Sequence, residues 1–172
     1  MKKILVVKVE KCLGCKSCEL ACAVAHSSLK DLNSLVGSAE RPGYRVHVEA
    51  YEHIAVPVHC NHCDDAPCVL ACPTGAIHRK GEEGPVLLDA ERCIGCKMCI
   101  QACPFGVITM RLDGKGVLKC DLCVERLDKG QEPACVTACP TNSLVFGDEE
   151  QVISSKRREA AGRLVSSLRE GL

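Results

Sequence analysis

Short β-prone segments recur along the chain before its C-terminal part. Residues 3–9 (KILVVKV) favour a short strand at the start of the chain. Residues 27–43 predict a short helix and a loop, and residues 44–54 predict a strand or a hairpin. A glycine-bounded turn at residues 81–84 precedes a further predicted strand at residues 85–89.

A helical period replaces this pattern from about residue 149. Apolar side chains then recur at intervals of three and four residues, and charged side chains lie mostly on the opposite face. The apolar set is Val152, Ile153, Ala160, Leu164, Val165, Leu168 and Leu172, and the charged set is Lys156, Arg157, Arg158, Glu159 and Arg163. This predicts an amphipathic helix that packs on its own chain, on a partner protein or on a membrane surface. The apolar face has no aromatic anchors of the kind that favour the membrane surface.

Sixteen cysteines lie among these segments and fall into four groups of four. Every group opens with C-x2-C and ends with C-x3-C, and three of the four then continue with proline, so the groups form an internal repeat. The groups are Cys12, Cys15, Cys18 and Cys22; Cys60, Cys63, Cys68 and Cys72; Cys93, Cys96, Cys99 and Cys103; and Cys120, Cys123, Cys135 and Cys139.

The third group, at residues 93–104, is C-x2-C-x2-C-x3-C-P. This spacing is the one with which bacterial ferredoxins bind cubane 4Fe–4S clusters through thiolates. Four such clusters need sixteen thiolates, which is the number of cysteines in the chain. The first group departs from the pattern because Ala23 follows Cys22, and residues 19–25 are therefore expected to continue as a helix.

Zinc sites and disulfides are the two other uses of such cysteines. C-x2-C pairs also build structural zinc sites, but those sites need neither a third cysteine close by nor a C-x3-C-P ending. Residues 4–7 are too short for the apolar part of a signal peptide, and Lys8 and Glu10 interrupt the run. We therefore expect a cytoplasmic protein whose cysteines bind metal rather than each other.

Composition and charge agree with a cluster-built interior. Aromatic residues make up 2% of the chain and tryptophan is absent, so clusters are expected to fill the interior and to contribute folding free energy. The formal net charge of +0 counts neutral thiols. An oxidised cluster with four thiolates carries about −2, and four would add about −8. The acidic loaded protein, without a basic stripe, is not expected to bind nucleic acid. No apolar window is long enough to predict a transmembrane helix.

The sequence contains no dinucleotide-binding glycine motif, P-loop or nucleophile elbow. This absence indicates a protein that moves electrons while another subunit performs the chemistry. A zinc-bound interaction module and a self-standing enzyme are the alternatives from other classes.

The order of the four groups resembles that of the four-cluster iron–sulfur subunits of molybdopterin oxidoreductases and hydrogenase complexes. The resemblance covers about residues 1–147 and includes CNHCDDAPC at residues 60–68 and KCDLC at residues 119–123. The compact length and KCLGCKSCELAC at residues 11–22 look most like the ferredoxin-like subunit that accompanies carbon monoxide dehydrogenase.

The resemblance implies that the fourth cysteine of each group joins three cysteines of another group. Quartet A is Cys12, Cys15, Cys18 and Cys139, and quartet B is Cys22, Cys120, Cys123 and Cys135. Quartet C is Cys60, Cys63, Cys68 and Cys103, and quartet D is Cys72, Cys93, Cys96 and Cys99. Each quartet would bind one of four 4Fe–4S clusters.

The implied fold is α+β, with two nested bacterial ferredoxin-type folds in one compact unit and a C-terminal amphipathic helix. Residues 1–25 with 115–147 would form one of these folds, and residues 57–114 the other. The cysteine-free insertion at residues 26–56 is expected to be a cover over the clusters or a flap that docks a partner. Residues 148–172 would form the helix.

The implied function is electron transfer from a catalytic dehydrogenase, carbon monoxide dehydrogenase, to a hydrogenase or a flavin-dependent NAD(P) or ferredoxin reductase. The alternative in the same class is the iron–sulfur subunit of a formate dehydrogenase, a hydrogenase or another molybdopterin oxidoreductase.

Overall fold

The computed structural model describes residues 3–170, with side chains up to residue 166, and shows an α+β fold of mostly short elements. The strands are β1 (Lys3–Val7), β2 (His47–Tyr51), β3 (Ile54–Val58), β4 (Ile77–Arg79), β5 (Val86–Leu88), β6 (Thr109–Met110), β7 (Val117–Leu118) and β8 (Leu144–Asp148). The helices are α1 (Ser17–Ala25), α2 (Leu32–Val36), α3 (Pro67–Leu70), α4 (Met98–Ala102), α5 (Val124–Leu127), α6 (Ala134–Thr137) and α7 (Glu149–Glu170), and a 3₁₀ turn covers Val9–Lys11.

The strands pair as two-stranded antiparallel sheets: β1 with β8, β2 with β3, β4 with β5 and β6 with β7. In the first sheet Val7 lies opposite Leu144 and Lys3 opposite Asp148, so the beginning of the chain is hydrogen-bonded to the end of the cysteine-containing region. The predicted strands at residues 3–9 and 85–89 are confirmed in β1 and β5, which are shorter than predicted.

Two apolar cores lie around the cysteines. The first contains the buried residues Cys18, Cys22, Val46, Val48, Cys135, Val136 and Leu144. The second contains Ala66, Cys68, Ile77, Val86, Cys99, Ile108 and Val117. The first core therefore combines both ends of the cysteine-containing region with the insertion, and the second is built from the middle of the chain.

The predicted strand or hairpin at residues 44–54 is a hairpin of β2 and β3, whose second strand runs on to Val58, beyond the end of the predicted insertion. Val46 and Val48 are 3% and 8% exposed and pack in the first core. The backbone N–H of Val48 also donates a hydrogen bond of 2.6 Å to Oε1 of the buried Glu19 on α1. These contacts hold the hairpin over the cysteines of α1, which is the geometry of a cover.

Helix α7 follows β8 directly and contacts β1 and β8. The ammonium of Lys8 donates a hydrogen bond of 2.6 Å to Oε1 of Glu159. Ile153, Leu164 and Val165 are exposed. The helix therefore packs on its own chain near its start, and its later apolar side chains are uncovered in the described structure. The side chain of Leu168 and all of Leu172 lie outside the described residues.

Among residues 3–170, no helix combines the length and the apolar character needed to cross a bilayer.

Leu144 tests the first core because it is 1% exposed and packs beside three buried cysteines. We expect Leu144→Ala to lower the free energy of unfolding by about 2–5 kcal/mol, because the substitution leaves a cavity in a packed interior. The measurement is anaerobic guanidinium unfolding followed by circular dichroism. Leu112→Ala is the control: Leu112 is 80% exposed, and its truncation should change the free energy by less than about 0.5 kcal/mol. Equal losses in the two variants would contradict this description of the core.

Candidate metal centres

The four cysteine groups share one local structure, in which a loop carries the first two cysteines and a short helix carries the third. Cys18 lies on α1, Cys68 on α3, Cys99 on α4 and Cys135 on α6. The fourth cysteine of each group comes four residues later, about one helical turn further along the chain. Cys22 is still on α1, whereas the fourth cysteines of the other groups lie one or two residues beyond the ends of α3, α4 and α6. Each helix with the residues just after it therefore carries cysteines that the family resemblance implies for two different quartets.

The loops of the first and third groups have the same left-handed backbone. Gly14 and Lys16 have φ of 59–68°, and Gly95 and Lys97 have φ of 67–68°. Glycine adopts this conformation without the strain of a Cβ atom. The turn lets the chain wrap around one point between its first and third cysteine.

Quartet D lines one small cavity, together with Ile77, Leu88 and Val117. Burial raises the pKa of the Cys99 thiol, and the nearby Cys93, Cys96 and Cys72 thiols raise it further. Cys72, which is distant in sequence from the other three, thus lies within electrostatic range of them.

Quartet C lines a second small cavity, with Val86, Ile108 and His62 in its wall. Burial raises the pKa of the Cys68 thiol, and Cys60 and Cys103 raise it further. Cys103 comes from the third group and is therefore brought beside the second.

Quartet B is the most enclosed. Cys22, Cys123 and Cys135 are buried, and Cys120 is half-buried. Burial raises the pKa of the Cys135 thiol, and Cys120, Cys22 and Cys123 each raise it further. Cys22 from the first group thus lies near three cysteines from the last.

Quartet A lies at the surface, where the Cys15 thiol is exposed. Hydrogen bonds from Ser17 lower the pKa of Cys15, and the charge of Cys139 opposes this effect. Burial raises the pKa of Cys18 to about 11, and Cys12 adds to the increase. The structure therefore brings Cys139 from the last group close to the first.

Backbone N–H groups point at the sulfur atoms of several cysteines, and such hydrogen bonds favour thiolates and tune iron–sulfur clusters. The donor and acceptor pairs are Arg45 to Cys22 at 3.3 Å, His62 to Cys60 at 3.4 Å, Leu122 to Cys120 at 3.5 Å, and Ser143 to Cys139 at 3.2 Å.

The His62 ring gives a further test of whether an iron–sulfur cluster fits beside quartet C. Its Nδ1 accepts a hydrogen bond of 3.0 Å from the backbone N–H of Val86. Burial lowers the pKa of His62 to about 3, and the charge of Lys119 lowers it as well, so the neutral ring carries its proton on Nε2. This buried Nε2 has no hydrogen-bond partner among the described residues. Sulfur-only ligands and a spare N–H donor suit an iron–sulfur cluster.

A second polar group lies near quartet B and was not predicted from the sequence. Nε2 of His26 lies 3.1 Å from Oδ1 of Asp121, and the guanidinium of Arg45 donates to Oδ2 of Asp121 at 2.8 Å. Burial opposes protonation of His26, but Asp121 and the Cys123 and Cys22 thiols raise its pKa to about 12. The position of Asp121 between two cysteines of one C-x2-C pair was the signal that could have identified it.

His26, Asp121 and Cys123 lie close enough together to hold a metal ion. Because Cys123 belongs to quartet B, this group is part of the same centre.

Two family descriptions match the chain. Residues 51–149 match the 4Fe-4S dicluster domain, and residues 9–25 match the 4Fe-4S binding domain. Together these matches include all four cysteine groups.

Similar proteins of known name extend over nearly the whole chain. Electron transport protein HydN of Escherichia coli (strain K12) is 38% identical over 179 residues, which cover 94% of this chain and 98% of that protein. An iron-sulfur protein of Rhodospirillum rubrum is 39% identical, covering 96% of this chain and 93% of that protein. A sulfite dehydrogenase subunit of Allochromatium vinosum is 34% identical, covering 92% of this chain and 75% of that protein.

The cysteine-lined cavities, the family matches and these relatives lead to one conclusion. The chain belongs to the 4Fe-4S dicluster family of iron–sulfur proteins, binds several 4Fe–4S clusters and serves in electron transfer.

Proposed function

We propose that the protein carries electrons along a row of four 4Fe–4S clusters held by quartets A, B, C and D, in that order. The observation that carries the proposal is that each quartet has a cysteine close to the next quartet. Each cluster, when bound, accepts and releases one electron without making or breaking a bond. The protein supplies the thiolates, the spacing and the exclusion of water.

Quartets A and B adjoin through α1 and α6, which are in contact. Cys18 of quartet A is close enough to Cys135 of quartet B to raise its pKa, although burial is the larger cause. Cys22 follows on α1, and Cys139 lies two residues beyond the end of α6, so each helix with the residues just after it supplies cysteines to both quartets.

Quartets B and C adjoin through the last and second groups. Burial raises the pKa of Cys120 in quartet B, and the charge of Cys60 in quartet C raises it further. This contact supports a continuous route between the two apolar cores.

Quartets C and D adjoin through α3 and α4, which are also in contact. Cys68 of quartet C and Cys99 of quartet D are buried in the same core. The pair α3 and α4 thus repeats the relation of α1 to α6, which supports the proposal that residues 57–114 form one ferredoxin-type fold and residues 1–25 with 115–147 form the other.

The two ends of the row are the places where partners would exchange electrons. Quartets A and D each have an exposed thiol, Cys15 and Cys96, whereas no cysteine of quartets B and C is exposed. Beside these thiols, Leu13 is 73% exposed and Ile94 is 68% exposed. Exposed apolar side chains beside an exposed thiol suit transient docking of a redox partner.

The donor that we propose is a carbon monoxide dehydrogenase, and the acceptor is a hydrogenase or a flavin-dependent NAD(P) or ferredoxin reductase in the cytoplasm. This choice is supported by the resemblance of residues 11–22 and by the compact length. In this arrangement the protein is an electron carrier, and its partners perform the chemistry.

A second candidate is the iron–sulfur subunit of a molybdopterin oxidoreductase such as a formate dehydrogenase. The observation that favours it is the similarity to proteins named as parts of catalytic complexes. These include the sulfite dehydrogenase subunit of Allochromatium vinosum and a probable anaerobic dimethyl sulfoxide reductase chain, YnfG, of Escherichia coli (strain K12), which is 36% identical over 152 residues.

If the fourth cysteine of one group ligates the cluster held by three cysteines of another group, replacing cysteines from the two groups should remove the same cluster. Cys22→Ala and Cys135→Ala should remove the same cluster and leave about 12 rather than about 16 irons per chain. Iron analysis and electron paramagnetic resonance of the reduced protein measure this. The two variants should lack the same signal.

Cys139→Ala and Cys15→Ala are the matched controls and should both lack a different signal, that of quartet A. If Cys22→Ala instead matched Cys15→Ala, the exchange of cysteines between the first and last groups would be wrong.

The choice of donor is tested by anaerobic reduction. We expect carbon monoxide and a purified carbon monoxide dehydrogenase to bleach the visible absorbance of the protein, as dithionite does, because electrons enter the clusters. Formate with formate dehydrogenase is the comparison. Bleaching by the second pair alone would favour the molybdopterin candidate, and resistance to dithionite would refute electron transfer itself.

The two ends of the row are tested with charge substitutions. Leu13→Glu and Ile94→Glu should each slow electron exchange with one partner at least several-fold by disrupting an apolar contact, while iron content stays unchanged. Stopped-flow absorbance with the donor and with the acceptor gives the two rates. Val36→Glu, at a residue that is 79% exposed in the insertion, is the control. Equal effects of all three variants would argue against docking at the ends.

A further inference from the structure

Lys119 is a buried lysine that directly precedes Cys120 of quartet B. It is 2% exposed, although lysine rarely loses all contact with water. Its ammonium donates hydrogen bonds to the backbone carbonyl of Val86 at 2.6 Å and to that of Cys120 at 3.0 Å. Both acceptors are neutral, so these bonds satisfy N–H groups without balancing the charge.

No carboxylate forms an ion pair with Lys119 in the part of the chain that the structure describes. Asp121, the acidic residue nearest in sequence, is already paired with His26 and Arg45. A buried ammonium without a counter-ion is strongly unfavourable. The remaining source of negative charge near Lys119 is the metal centres.

Lys119 lies between quartets B and C. It directly precedes Cys120 of quartet B, and its ammonium is bonded to that residue's carbonyl. Its other partner, Val86, lines the cavity of quartet C and donates its N–H to His62. The charge of Lys119 also lowers the pKa of Cys68 in quartet C, opposing the larger effect of burial.

We propose that Lys119 is the shared counter-ion of the clusters of quartets B and C. Its charge raises the reduction potentials of these two clusters above those of the clusters of quartets A and D. This inference rests on the proposed function, because it requires all four quartets to be loaded. In this proposal, the charge of Lys119 accounts for the difference in reduction potential between the clusters of quartets B and C and those of quartets A and D.

The physical basis is charge. A 4Fe–4S centre with four thiolates goes from about −2 to about −3 when it gains one electron, and a fixed buried cation favours the more negative state. When one electron passes from the cluster of quartet B to that of quartet C, the cluster of quartet B would be oxidised and the cluster of quartet C reduced. No proton would move. Lys119 lies beside both centres and therefore favours an electron on either of them over an electron on quartet A or D.

A purely structural lysine would give a different result. The bonds to Val86 and Cys120 hold the segment around Cys120 against β5, and a neutral side chain with N–H donors could keep such bonds. The test must therefore separate charge from hydrogen bonding. Lys119→Gln keeps donors without charge, Lys119→Met keeps length without either, and Lys119→Arg keeps both.

The experiment is an anaerobic redox titration of the full-length loaded protein monitored by electron paramagnetic resonance, with signals assigned from the cysteine variants above. In Lys119→Gln we expect the ratio of reduced to oxidised cluster at a fixed potential to fall about tenfold for quartets B and C, a shift of about 59 mV for a one-electron couple. The signals of quartets A and D should not move, and Lys119→Arg should restore the wild-type potentials. Lys129→Met removes a charge from an exposed position close in sequence to quartet B, and it should leave all four potentials unchanged.

Unchanged potentials of quartets B and C in loaded Lys119→Gln would overturn the inference, as would an equal shift of all four signals. If Lys119→Met loses iron, Lys119→Gln decides, because it retains N–H donors at this position. Iron analysis of the wild-type protein separates failure of the proposed function from failure of the role of Lys119. Fewer than four clusters would refute the proposed function. Four clusters with no shift of the reduction potentials in Lys119→Gln would refute only the role of Lys119.

Discussion

The interval of four residues between the third and fourth cysteine of each group is the constraint on which the structure depends. About one helical turn separates these two side chains, so a short helix and the residues just after it present thiols to two neighbouring centres. Cys18 and Cys22 lie on α1, Cys135 lies on α6 with Cys139 two residues beyond its end, and the two helices are in contact. The same relation holds for α3 and α4 in the middle of the chain. In the proposed arrangement, two such pairs of helices and their flanking loops bring sixteen thiols into four quartets without a large aromatic core.

The rest of the fold holds these helix pairs in place. The β1–β8 sheet fastens the start of the chain to residues that follow the last cysteine, as the pairing of Val7 with Leu144 shows. The β2–β3 hairpin covers the first core, where Val48 is fixed to Glu19 by a hydrogen bond of 2.6 Å. Because the thiols occupy positions where other proteins place large apolar side chains, bound metal contributes to folding as well as to function.

The sequence was sufficient to predict the local elements and the chemistry of the centres, because both depend on short-range spacing. The helix that continues after Cys22 followed from the absence of proline, and the hairpin followed from alternation in residues 44–54. The contribution of Lys119 and His26 could not be predicted in the same way. Their roles come from neighbours far along the chain, such as the 33 residues that separate Lys119 from Val86, and a single sequence does not reveal those pairings. The later part of α7, with Leu164 and Val165 exposed, is likewise a feature that only the fold displays.

The central claim is that every cysteine ligates one of four clusters. The most direct test is chemical analysis of iron, acid-labile sulfide and zinc in the anaerobically purified full-length protein. With four 4Fe–4S clusters bound, we expect about 16 irons and about 16 sulfides per chain and no bound zinc. A folded, colourless protein that contains zinc, or one with half that amount of iron and unreacted thiols in two quartets, would contradict it.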